Sequence, residues 1–294
     1  MNLPLRQFWN LNNYGDEIGP YLTWKLTNQF PKHSYPRKYF FINNLKSIFH
    51  FIFGDRNISR NLNTNYHAKT LLSVGSILEF ASNKDIVWGS GMGSKNPSIS
   101  KAKFYSARGP ISRDYIKSLG YDISDNIGDP ALLLPLMIPK KFNKSTSVTI
   151  IPHKTNYEET KEILKSSDWN FDIIDLNDTN VEKITKDISS SNLILSSSLH
   201  GIIVGQAYSV KSFWFKIDDI GGDDTKFIDY FKSVEIETYK PLTKSIFSLS
   251  EVNLLKKLQE MESFSTLNID LPNLQRSLLV NSPFESRIYE KFLP

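Results

Sequence analysis

Residues 192–210, NLILSSSLHGIIVGQAYSV, decide the fold. Leu193, Ile194 and Leu195 read as a short apolar strand, Ser196 to Ser198 as a turn, and Leu199 to Tyr208 as a helix that carries Ile202, Ile203 and Ala207 inward. A buried strand that turns straight into a helix belongs to a parallel βαβ unit. His200 then stands at a strand's carboxyl end and in a helix's first turn. In open α/β sheets ligands bind there, because the crevice opens at that edge and free backbone N–H groups, with the positive end of the helix dipole, face it.

The same pattern extends in both directions. Apolar bursts at 70–78, 85–92, 103–109, 148–153, 171–176 and 211–216 alternate with helical patterns at 111–120, 156–168 and 180–191. Short buried strands alternating with helices define the class as α/β. Prolines, lysines and serines interrupt the periodicity over 132–147, so the chain is expected to divide into a domain of residues 1–142 and one of 143–294. From about Ser248, Leu254, Leu255, Leu258 and Met261 recur at helical spacing and are expected to form a closing helix.

Composition narrows the function. The 294 residues contain no cysteine, which excludes disulfides, thiolate zinc sites and cysteine nucleophiles. With 35 basic against 31 acidic residues the net charge of +4 is too mild and too dispersed to indicate nucleic acid, and it suits a small anionic substrate or an anionic membrane surface. The first residues lack the apolar core of a signal peptide, and no segment supplies the ~18 uncharged apolar residues of a spanning helix. A cytoplasmic protein is the expectation, with peripheral contact at the inner face of the cell membrane as an option. That option rests on residues 38–54, where Leu45, Ile48, Phe49, Ile52 and Phe53 share one helical face between basic flanks; packing in the first domain's core is the plainer reading.

Several motifs mark strand ends. In NNYGDE (12–17) a glycine and an aspartate open a helix, which by itself reads as capping. VWGSGMGS (87–94) follows a strand with small residues that let backbone approach a ligand, without completing a dinucleotide fingerprint. YSARGP (105–110) ends a strand on Arg108, ahead of a helix capped around Ser112. Arg108 is suited equally to an anion or to an interface carboxylate, with Asp129 of GDPALLLP as a candidate partner. His153 repeats the strand-then-histidine arrangement, although a lone histidine of this kind is as a rule structural or solvated. DDIGGDD (218–224) reads as a glycine loop rather than a cation site, and no metal site is expected.

Taken in order, NNYGDE, SVGSIL, VWGSGM, ARGPISRDYIKSLG, GDPALLLP, IIPH, SSSLHGIIVGQAYSV and FIDYFKS resemble the polysaccharide pyruvyl transferase family over about residues 10 to 235. The resemblance implies two Rossmann-like domains facing a cleft, as in glycosyltransferases of the GT-B type. It also implies phosphoenolpyruvate as co-substrate with no bound cofactor, and transfer of its pyruvyl group as a cyclic ketal onto a sugar of a capsule or exopolysaccharide precursor, which can be lipid-linked. The family's arginine falls on Arg108 and its histidine on His200, the expected catalytic pair. Ser198 stands where some members carry arginine. Backbone N–H groups of Leu199, His200 and Gly201 with the Ser197 and Ser198 hydroxyls, or a lysine such as Lys154 or Lys216, would replace that cation. Asn13, Asp16, Ser90, Gly91 and His153 complete the expected substrate-binding set.

The chemistry needs a proton shuttle and an anion clamp. Histidine serves the first near neutral pH, as acid or as base, and arginine the second. Two other functions fit the same architecture: a nucleotide-sugar glycosyltransferase, whose diphosphate would occupy the same crevice, and a non-catalytic saccharide-binding subunit.

Overall fold

A computed structural model describes residues 12–33, 69–141, 146–217 and 223–294, with the backbone of 6 and 7. The segment 38–54 lies outside the described residues, as do 218–222 of the acidic loop. Two five-stranded parallel sheets carry the chain. The first contains β1 (Arg6–Gln7), β2 (Lys32–His33), β3 (Leu71–Leu72), β4 (Ile86–Trp88) and β5 (Lys103–Ser106), in the spatial order β2-β1-β3-β4-β5. The second contains β6 (Val148–Ile151), β7 (Phe171–Ile173), β8 (Leu193–Ser196), β9 (Lys211–Lys216) and β10 (Leu242–Thr243), in the order β7-β6-β8-β9-β10. Each sheet starts in its interior, steps once to one side and then runs out the other way. Each therefore has one point where strand order reverses, between β1 and β3 and between β6 and β8.

The strands form because their apolar residues must be buried on two faces. In β9, Phe213 and Phe215 enter one core while Trp214 between them enters another, and in β6 Val148 and Ile150 oppose Ile151 in the same way. This is the period of two expected of a strand covered on both sides. The helix after β8, Leu199–Ala207, is apolar all round and buried at every residue, so it is central in its layer. The largest core continues through both halves. It joins Tyr14, Ile18 and Leu22 on α1 (Tyr14–Thr27), Trp88, the Leu132–Leu134 run, and Ile202, Ile203 and Tyr230.

One local expectation is corrected. The helix after Arg108 is α2 (Pro110–Ser118), capped by Gly109 with proline in its first turn. Ser112 is not the cap: its N–H and hydroxyl both donate to Asp229, at 3.0 and 2.6 Å. Residues 251–260 do form a helix that buries Leu254 and Leu258, yet Leu255 stays 37% exposed. A further helix, Leu271–Val280, returns to the main core. Its Leu278 and Leu279 join the main core, the Leu278 carbonyl accepts from Trp88 Nε1 at 3.1 Å, and Gln275 donates to the Leu132 carbonyl at 2.8 Å. Among the described residues no helix is long and apolar enough to cross a membrane.

Candidate active site

A cavity of about 170 Å³ lies where the two reversal points meet. Its described wall comes from residues that follow strands: Asn13 and Asp16 after β1, Ser76 and Ile77 after β3, His153 and Lys154 after β6. Leu176 follows β7, Ser198, Leu199 and His200 follow β8, and Lys226 follows β9. One strand-end rule thus places residues from both halves on one small space. Hydrogen bonds hold the halves in register, with Tyr14 N–H donating to the Leu176 carbonyl at 2.9 Å and the Tyr14 hydroxyl 2.8 Å from Thr185 Oγ1.

The serine turn is built around Ser196. Its Oγ lies 2.9 Å from the Ile151 carbonyl and accepts the Ser198 N–H at 3.0 Å, so the chain is folded sharply into α3 (Leu199–Ala207). Gly201 permits that fold: a methyl there would stand 3.0 Å from Ile151 Cγ2 and closer still to Ser196 Oγ. Ser197 Oγ accepts the His153 N–H at 2.7 Å, which ties the turn after β8 to the turn after β6. The first turn of α3 faces the cavity, and its N–H groups have no carbonyl one turn back to bond.

His200 is 8% exposed and packs against α1 at Gly15, where a methyl would lie 2.6 Å from its Cγ. Its Nε2 is buried with no hydrogen-bond partner among the described residues. Burial first, then the charges of Arg108 and Lys226, push the imidazole down to about 3, so it is neutral at physiological pH. Burial, Lys226 and Lys154 likewise push His153 down to about 4, and its Nδ1 lies 2.8 Å from Thr155 Oγ1. Lys226 is half-buried and its ammonium is shifted down, chiefly by burial and next by Arg108.

Arg108 is fully buried behind the cavity wall. It donates to Ser76 Oγ at 2.8 Å, to the Met92 carbonyl at 2.8 Å and to Asp229 Oδ2 at 3.3 Å. Gly91 makes room for it, since a methyl there would sit 2.7 Å from Nε. The ion-pair partner is therefore Asp229, from the helix Thr225–Ser233, and not Asp129. Asp129 accepts the Ala131 N–H at 2.9 Å to open a short helical run, and burial pushes its carboxyl up to about 6. Ser90 and Gly91 stand behind the wall too: the Ser90 hydroxyl and the Gly91 N–H donate to the Gly75 carbonyl at 3.0 and 3.2 Å, bracing a turn whose Gly75 has φ +114°.

Of the expected residues, Asn13, Asp16, His153, Ser198, Leu199 and His200 line the cavity, while Arg108, Ser90, Gly91, Ser197 and Gly201 support it. Lys154 also lines it. Lys216 does not: it pairs with Asp224 and lies over the Trp214 ring. Sequence reading missed Lys226, Ser76 and Asp229. Lys226 is the second residue of a helix that follows a strand, the same position that singled out His200, and that signal was available.

Fold and site together define an α/β protein with a small cavity, lined by Lys154 and Lys226, around a neutral, buried imidazole. The family model for polysaccharide pyruvyl transferase matches residues 13–219, and the chain belongs to that family. It is also similar to an uncharacterized protein of Acanthamoeba polyphaga mimivirus, 30% identical over 218 residues that cover 70% of this chain and 74% of the relative.

Proposed function

We infer that the protein transfers the pyruvyl group of phosphoenolpyruvate to a sugar of a capsule or exopolysaccharide precursor as a cyclic ketal, with release of phosphate. The observation that carries this reading is the cavity itself, where Lys154, Lys226 and a helix amino terminus surround a neutral histidine. Its volume of about 170 Å³ falls below the ~300 Å³ at which sites for drug-sized ligands begin, so it suits a small polyanion better than a nucleotide sugar. The paired strand orders support a GT-B-like arrangement of domains 1–142 and 143–294, with the last helices returned to the first. A cytoplasmic enzyme that meets a lipid-linked acceptor at the inner face of the cell membrane completes this reading.

In this reading Lys154, Lys226 and the α3 N–H groups hold the phosphate and carboxylate. Arg108 acts at one remove: it fixes Ser76 Oγ, which faces the substrate. The neutral His200 takes the proton from an attacking sugar hydroxyl as the new C–O bond forms at the enol carbon, and the same proton completes the methyl group at the methylene carbon. A bound dianion raises the imidazole pKa and favours this shuttle. The second hydroxyl then closes the ketal, its proton leaving with phosphate. His153, Asn13 and Asp16 orient the sugar.

The experiment incubates the protein with phosphoenolpyruvate and lipid-linked oligosaccharides, follows phosphate, and examines the acceptor by mass spectrometry for a pyruvate ketal. Release of a nucleoside diphosphate from a nucleotide sugar, with none of phosphate from phosphoenolpyruvate, would overturn the assignment.

A further inference from the structure

Along α1, away from the cavity, runs a second recess of about 400 Å³. Asn13 and Asp16 at the start of α1 face the cavity, while Glu17, Tyr21 and Trp24 continue down the helix at i, i+4 and i+7 and line the recess. From Asp16 to Trp24 is about 12 Å of helix axis. The opposite wall is the start of the helix Val181–Ser189, with Asn180 and Glu182, and Phe30 closes the far end. Trp24 and Phe30 are 36% and 58% exposed, and both rings line this one recess, so it presents paired aromatic surface to solvent.

The indole is held in place before any ligand arrives. Tyr21 meets it edge-on at 5.8 Å and 73°, and Lys25 Nζ lies 4.5 Å from its centre. Lys25 pairs with Glu182 at 3.0 Å, and the Tyr21 hydroxyl donates to the same carboxylate at 2.9 Å. A braced aromatic face beside carboxylate and amide groups matches the chemistry of a sugar ring, which presents an apolar C–H face and a rim of hydroxyls. The described lining holds no lysine or arginine, and Glu182 is already paired with Lys25, so nothing in it is placed to receive an anionic chain. We propose that this recess is the subsite for the part of a neutral acceptor saccharide beyond the reacting sugar, and that Trp24 is its stacking platform. Its place further along the helix that begins at the cavity rests the direction of the chain on the pyruvyl-transfer reading; the binding itself does not depend on it.

The test uses neutral oligosaccharide ladders of gluco, galacto and manno configuration, from monosaccharide to hexasaccharide, titrated calorimetrically into the whole protein without phosphoenolpyruvate. Affinity for at least one ladder should rise with length. Trp24→Ala should lose about ten-fold for the longer members and nothing for the monosaccharide, and Trp24→Phe should recover most of the loss. Phe30→Ala, which lies outside any helix, repeats the test if Trp24→Ala does not fold. No binding of any ladder, or no length dependence, overturns the proposal. Trp24-dependent binding without any pyruvyl transfer would keep this subsite and remove the reaction. Transfer with an acceptor KM unchanged by Trp24→Ala would keep the reaction and remove the subsite.

Discussion

Gly15→Ala should inactivate the protein without unfolding it. The added methyl would stand 2.6 Å from His200 Cγ and 2.8 Å from Cε1, and nearer still to Nδ1, where ordinary contact begins at 3.4 Å. The ring must therefore retreat by 0.8 Å at Cγ, and further at Nδ1. Displacement of a reacting group by about 1 Å costs on the order of 10²-fold in rate, or ~2.7 kcal/mol of transition-state stabilisation. Stability changes less, because overpacking costs ~1–3 kcal/mol while alanine regains ~1 kcal/mol of helix propensity over glycine. The melting temperature should move by no more than several degrees. The assay is phosphate release from phosphoenolpyruvate in the presence of acceptor, with thermal melts in parallel. Gly93→Ala is the control, since its methyl would meet Ser76 at an ordinary 3.6 Å and should change neither quantity much. A folded Gly15→Ala protein with turnover within a few-fold of the parent would refute the claim that helix α1 sets the imidazole's position.

His200→Ala should reduce turnover by at least ~10²-fold. The folded state holds His200 near 3 against 6.5 for the free side chain, so it binds fewer protons than the unfolded chain. Its contribution to stability is complete above pH 6.5 and is lost as the pH falls toward 3. The alanine variant should accordingly lose less stability than the parent between about pH 6.5 and 4, by up to ~1.4 kcal/mol per pH unit; parallel profiles in urea titrations would contradict the burial argument. Lys226→Ala should weaken phosphoenolpyruvate binding by about ten-fold or more, whereas Lys216→Ala, which removes contacts with Asp224 and Trp214 outside the cavity lining, should not; calorimetry separates them. Asp229→Ala strands the buried Arg108 and should cost ~3–5 kcal/mol. Arg108→Lys keeps the charge but cannot reach Ser76, Met92 and Asp229 together, so donor affinity should fall, and unchanged affinity would confine Arg108 to fastening the halves.

The seven longer apolar bursts are legible because two-sided burial writes a strand as a short apolar run between turn residues. The strands Arg6–Gln7, Lys32–His33 and Leu242–Thr243 leave no such trace, since two residues carry no period; Leu71–Leu72 is as short but sits inside a longer apolar run. His200 is legible from local order alone. Asp229 is not: it lies 121 residues from Arg108, and nothing local marks it rather than Asp129 as the partner. Gly15 reads as a permissive residue at a helix start, and only the packing of α1 on α3 shows that it is an absence of side chain matched to a ring. The reach of Arg108 is hidden for a related reason, because the sequence does not reveal that Gly91 and Met92 take its guanidinium inward.

The return of the helix Leu271–Val280 to the first half ties folding to the order of synthesis. Trp88 and the carbonyl of Leu278 are separated by 190 residues, which at ~5–20 residues per second takes a ribosome roughly 10–40 s to deliver. Until then a fully buried indole, and the Leu132 carbonyl awaiting Gln275, have no final partner. The amino-terminal sheet, made first, is thus among the last parts of the molecule to be finished, and in that interval its unfinished surface is the face a chaperone would have to cover.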